Sequence, residues 1–109
     1  MAVLALAGCA NDPAPNEQMR LTEQAITQAK AVGATADEMP EMKLAGDKFN
    51  RAKGNMTDES FKNARMRAEQ AELDARLAEA KVLTQKSEEQ LSVLNTRIIR
   101  LRKQLGDAQ

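Results

Sequence analysis

The chain of 109 residues has no histidine, no tryptophan and no tyrosine, and only one cysteine, two phenylalanines (Phe49 and Phe61) and three prolines. Its formal net charge is zero, with 16 Lys and Arg against 16 Asp and Glu. Each shortage excludes something. Without histidine the chain lacks the usual proton shuttle near neutral pH and the commonest metal ligand. Ser60, Ser87 and Ser92 therefore have no base to activate them, and Cys9 has none either. One cysteine forms no internal disulfide. No zinc spacing or acid-rich calcium loop is present. A neutral chain with no aromatic platform is a poor reader of nucleic acid. The expectation is a protein that is not an enzyme, with no metal, no nucleic-acid partner and no cofactor.

What is present is alanine. The apolar set holds 19 Ala, 11 Leu, 6 Met, 4 Val, 3 Ile, 2 Phe and 1 Cys. Burying alanine removes little surface from water, so a large compact core is not expected. The methionines, among them Met39, Met42, Met56 and Met66, suit gap-filling in an alanine-rich bundle better than soft-metal binding.

Residues 1–8 are uninterrupted apolar or small and end at Cys9, and polarity changes abruptly afterwards. This run is too short to span a bilayer, which takes roughly 20 apolar residues. Leu6, Ala7, Gly8 and Cys9 resemble a bacterial lipobox, in which Leu6, Ala7 and Gly8 are read by the lipoprotein signal peptidase and Cys9 is lipidated. Residues 1–8 are then the end of a signal peptide, and residues 9–16, with Pro13 and Pro15, a lipidated N-terminus and solvated linker. Acyl chains on Cys9 would each contribute about 0.8 kcal/mol per buried methylene to membrane attachment. Ala10, in place of Asp, favours the periplasmic face of the outer membrane by resemblance to sorted lipoproteins. No Lys or Arg precedes Arg20, which departs from a complete signal. If Met1 is the true start and Cys9 is not lipidated, the alternative is a soluble cytoplasmic coiled-coil regulator or adaptor.

Beyond the linker the pattern is all-α. A first helix is expected from Asn16 as N-cap to Val32, stopped by Gly33, with Ala25, Ile26, Ala29 and Val32 on one side and Gln18 and Thr22 continuing the row. Asp37 is expected to cap a second helix with Pro40 in its first turn, carrying Met42, Ala45, Phe49 and Ala52 until Gly54-Asn55 breaks it. Thr57 is expected to cap a third, with Asp58 and Glu59 in its first turn, running without Pro or Gly to about Leu105, roughly 70 Å.

The third helix carries two rows. Phe61, Ala64, Ala68, Ala71, Ala75, Ala78 and Val82 recur three and four apart and read as the face on which the shorter helices dock. An offset heptad row, Leu73, Leu77, Ala80, Thr84, Ser87, Leu91, Leu94, Ile98, Leu101 and Leu105, has a weak middle and five large aliphatics at its end. The expected architecture is a small antiparallel three-helix bundle over residues 17–82, with residues 83–109 as a coiled-coil-like arm. Leu91, Leu94, Ile98, Leu101 and Leu105 are its expected contact face, toward itself or an envelope protein.

Charges between Asp58 and Glu89 mix both signs and include i,i+4 pairs such as Glu72 with Arg76. Arg97, Arg100, Arg102 and Lys103 meet only Asp107. They offset the helix dipole or serve an anionic contact such as lipid headgroups or cell-wall polymer.

Ala25-Ile26 with Ala29, Gly33-Ala34, Pro40-Glu41 with Ala45, and then Ala64, Ala68, Glu69, Ala71, Asp74-Ala75, Leu77-Ala78 and Ala80 resemble the domain of unknown function 4398 lipoproteins of Gram-negative bacteria. The resemblance runs from about Gln18 to Val82, with the lipobox before it. It implies a short, lipid-anchored, periplasm-facing helical protein with no assigned activity. Some members are joined to a peptidoglycan-binding OmpA-like domain that is not among the residues of this chain, and peptidoglycan is one partner to be tested.

Overall fold

The computed structural model describes residues 12–108. The lipobox residues Leu6, Ala7, Gly8 and Cys9 lie outside this range. Three helices follow in order: α1 (Asn16–Val32), α2 (Pro40–Thr57) and α3 (Phe61–Asp107), with 17, 18 and 47 residues. No strand occurs among the described residues. The radius of gyration is 23.9 Å, against about 13 Å for a compact chain of this length. The excess comes from α3, which at 1.5 Å per residue spans roughly 70 Å.

Side-chain pairs fix the direction of each helix. Glu41 pairs with Lys81 and Lys48 with Asp74, so seven residues forward in α2 is seven back in α3, and α2 runs antiparallel. Gln18 bonds Glu72 and the Val32 carbonyl receives Lys86, so fourteen forward in α1 is fourteen forward in α3, and α1 runs parallel to it. The bundle is up-down-up, and α3 outruns both neighbours beyond Lys86.

The core is built on alanine. Ala25, Ile26 and Ala29 of α1, Met42, Ala45, Phe49 and Ala52 of α2, and Ala64, Ala68, Ala71, Ala75 and Ala78 of α3 are all buried. The five α3 alanines are at 0% exposure. A methyl on every inward position lets helix backbones approach closely, which a row of leucines at that spacing would prevent. Val82 is partly buried against this core. Phe61, expected as the first docking residue, is half-buried like Val82, but only Val82 packs against the core cluster.

The helix ends differ from the expected caps. Pro15, not Asn16, is the N-cap of α1, and Asn16 is already helical. Met39, not Asp37, is the N-cap of α2, which puts Pro40 at the first helical position, where a missing N–H goes unnoticed. Gly54 and Asn55 do not break α2. It runs on to Thr57, because an interior glycine costs only about 1 kcal/mol and Ala52 is fully buried just before it. Thr57 therefore ends α2 instead of capping α3; Ser60 is the N-cap of α3, and Asp58 and Glu59 form the turn.

Both α1 and α2 end in the same hydrogen-bonded loop, with N–H groups returning to the carbonyls of the last turn. In the first, Gly33 bonds Lys30 at 3.0 Å and Ala34 bonds Ala29 at 2.9 Å. In the second, Glu59 bonds Met56 at 3.2 Å and Ser60 bonds Asn55 at 2.8 Å. The left-handed position is Gly33 (φ 106°) in one and Glu59 (φ 57°) in the other. The glycine adopts it without strain; the glutamate does not.

Candidate functional site: two opposed faces of the third helix

The covered face of α3 is bordered by polar contacts that hold it in register. Thr22, fully buried, places Oγ1 2.8 Å from the Gln18 carbonyl and 2.9 Å from the Ala68 carbonyl, sharing one proton between them. Gln18 Nε2 donates to Glu72 Oε2 at 2.7 Å, and Arg76 Nη2 donates to Glu72 Oε1 at 2.7 Å. Together, the Gln18 amide first and Arg76 second, they hold the Glu72 carboxyl below its usual range. On the other flank Lys48 Nζ lies 2.6 Å from Asp74, and Lys81 pairs with Glu41, whose carboxyl is also held low, chiefly by that hydrogen bond. At the top, Lys86 Nζ donates to the Val32 carbonyl at 2.6 Å, closing the end of α1. Of these contacts, the sequence indicated the Glu72–Arg76 pair. Apart from the bond of Thr22 to the Gln18 carbonyl within α1, the others join separate helices, and no local spacing signals them.

The leucine row stands on the opposite side. Ala64, Ala68, Ala71, Ala75, Ala78 and Val82 are each followed, nine residues on, by Leu73, Leu77, Ala80, Thr84, Ser87 and Leu91. Nine residues are about two and a half helical turns, so the two rows are diametrically opposed. With α1 and α2 both on the alanine side, no other described element covers the leucine side. Leu73 is 67% exposed, Leu91 60% and Leu105 70%, and Leu77, Leu94, Ile98 and Leu101 are exposed as well. The expected contact residues Leu91, Leu94, Ile98, Leu101 and Leu105 thus lie on one open stripe, which extends back along the bundle to Leu73.

The basic residues are placed differently. Arg97, Arg100, Arg102 and Lys103 are all exposed, yet at about 100° per residue they spread around the helix circumference and form no single patch. Arg100 falls five turns beyond Val82 on the alanine side, and Arg102 falls beside the leucine row.

An open cleft of about 580 Å³ lies where the α1–α2 turn meets α3, lined by Val32, Gly33, Met39, Lys81, Val82 and Lys86 among others. A smaller groove of about 420 Å³ runs between α1 and α2 past Ile26, Ala34, Met42 and Gly46. Neither gathers a nucleophile with a base. Among the described residues no cluster of three or more His, Cys, Asp or Glu could hold a metal ion, and no helix is long and apolar enough to cross a membrane.

The sequence profile of a family described as a domain of unknown function, DUF4398, matches residues 17–94. That match covers the bundle and reaches Leu94, farther along the leucine row than the resemblance of the alanine spacing alone. A crystal structure of a DUF4398 family protein from Pseudomonas aeruginosa PAO1 is similar, with 66% sequence identity and a TM-score of 0.84. The similarity covers 89% of this chain and 100% of that one. None of the curated proteins matches.

Proposed function

The chain belongs to the DUF4398 family, and from that premise we propose that it is a lipid-anchored lipoprotein facing the periplasm from the outer membrane, with a structural or adaptor role. Cys9 carries the lipid, Leu6, Ala7 and Gly8 direct its processing, and α3 makes the contacts. The observation that carries this reading is the division of α3 into a closed alanine face and an open leucine face. A helix that needed only to complete the bundle would have no use for large aliphatics on its far side, because they stay in water and gain nothing on folding. The role in this reading is binding, in keeping with a chain that has no histidine. Lipid headgroups and peptidoglycan are the anionic neighbours that Arg97, Arg100, Arg102 and Lys103 would meet in that setting.

Metabolic labelling with a fatty acid tests the anchor. Wild-type protein, expressed from its full natural reading frame, is expected to take up label and sediment with outer membranes, and Cys9→Ser to do neither. Unlabelled wild-type protein in the soluble fraction would remove the anchor and leave a soluble helical regulator or adaptor.

A further inference from the structure

We propose that the open row of α3 is covered by the same row of a second copy of this chain, running antiparallel, with Leu73 level with Leu105 of the second copy. This deepens the reading of α3 as the contact element and is independent of the lipid at Cys9.

Size complementarity carries the first part of the argument. The row divides into two unequal halves: Leu73, Leu77, Ala80, Thr84 and Ser87, then Leu91, Leu94, Ile98, Leu101 and Leu105. A parallel, in-register pair would set Ala80, Thr84 and Ser87 each against itself, three weak layers in succession. The antiparallel alignment sets Leu73 against Leu105, Leu77 against Leu101, Ala80 against Ile98, Thr84 against Leu94 and Ser87 against Leu91. Every layer then holds at least one large aliphatic, and each small residue faces a large one. The overlap is 33 residues, about 50 Å, longer than the three to four heptads that make a coiled coil secure.

Charge carries the second part independently. In a parallel pair each residue just before an a position meets the residue five later on the other chain. Within the row the charged meetings are Arg76 with Lys81, which already pair with Glu72 and Glu41 in their own chain, and Arg97 with Arg102, both of like sign. In the antiparallel alignment Asp74, which already pairs with Lys48 in its own chain, meets Arg102 of the second copy, twice by symmetry, and the one like meeting is Glu88 with its own copy beside the two-fold axis. The arrangement is isologous and closed, so it makes a dimer and not a filament. It also fits the space, because the row is half a turn away from α1 and α2 and its leucines are already exposed.

Disulfide trapping reads the direction. In the full chain carrying Cys9→Ser, Leu77→Cys and Leu101→Cys lie 24 residues apart on α3, about 36 Å. Mixed together, the two single variants are expected to give a mixed disulfide, and neither alone to crosslink. Each variant crosslinking to itself would show a parallel pair and overturn the inference, while leaving α3 as a contact element. A protein that sediments as a monomer and forms no disulfide would overturn self-pairing, and another envelope protein would then be the partner. Arg102→Asp adds a second reading: it is expected to weaken the dimer by about three- to tenfold, whereas in a parallel pair it would tighten it by relieving Arg97. Unchanged helical circular dichroism controls for folding in each case.

Discussion

Two faces of one helix, half a turn apart, have been given opposite residues. On one side of α3 five alanines are at 0% exposure; the row on the other, with Leu73 and Leu77 beside the bundle and Leu91 to Leu105 beyond it, is left open to water. The difference shows how a chain with few large side chains divides them. Where a neighbour is built into the same chain and lies close, a methyl is enough and anything bigger would push the helices apart. Where the neighbour must be recruited, large aliphatics supply the apolar area that association needs. In the proposed reading the same helix serves as wall and as connector.

The comparison breaks most sharply under identical changes on the two faces. Ala75→Leu adds bulk to a fully covered position between α1 and α2, and is expected to cost about 2–3 kcal/mol in urea denaturation. Thr84→Leu, nine residues on and exposed, is expected to change the stability of the bundle by less than about 0.5 kcal/mol. Comparable losses from both would show that the far face is not free. A smaller effect is expected at the buried tie between α1 and α3: Thr22→Val keeps the volume, removes the hydroxyl beside the Ala68 carbonyl, and should cost about 1 kcal/mol.

The two loop ends offer opposite tests of similar size. Gly33→Ala forces a side chain into the left-handed region and is expected to destabilise by about 1 kcal/mol, whereas Glu59→Gly relieves it and is expected to stabilise by about the same. Thermal melts of the two variants should move in opposite directions.

The smallest effect is electrostatic. Glu41 and Glu72 bind protons less readily in the folded protein, since Lys81 and Gln18, respectively, hold their carboxyls below the ordinary value of 4.5. Their contribution is complete above that value, and it is lost as pH falls through the lower folded values. Denaturation at pH 7 and at pH 3.5 should show this decline, and Glu72→Gln should flatten part of it.

Much of this was legible in the sequence because it is periodic. The rows Ala25–Ile26–Ala29, Met42–Ala45–Phe49–Ala52 and Ala64 to Val82 read directly as core, and Gly33 as the end of α1. The helix starts were not. Asn16, Asp37 and Thr57 have good capping side chains, but each cap is worth only about 1 kcal/mol, and the N-caps are Pro15, Met39 and Ser60 instead. Thr22 with Ala68, Lys86 with Val32 and Lys48 with Asp74 join residues 26 to 54 apart, so no local pattern announced them. The leucine row was visible as a heptad, and its position opposite the alanines followed only once α1 and α2 were placed together on the other side.

Sedimentation equilibrium of the full chain carrying Cys9→Ser, with and without Leu94→Asp and Ile98→Asp, tests the two-faced helix most directly. The parent is expected to sediment as a dimer and the doubly substituted chain as a monomer with its helical circular dichroism intact, since neither residue touches the bundle. A monomer both before and after the change would contradict self-association through the leucine face. A monomer that has also lost its helices would contradict the independence of the two faces.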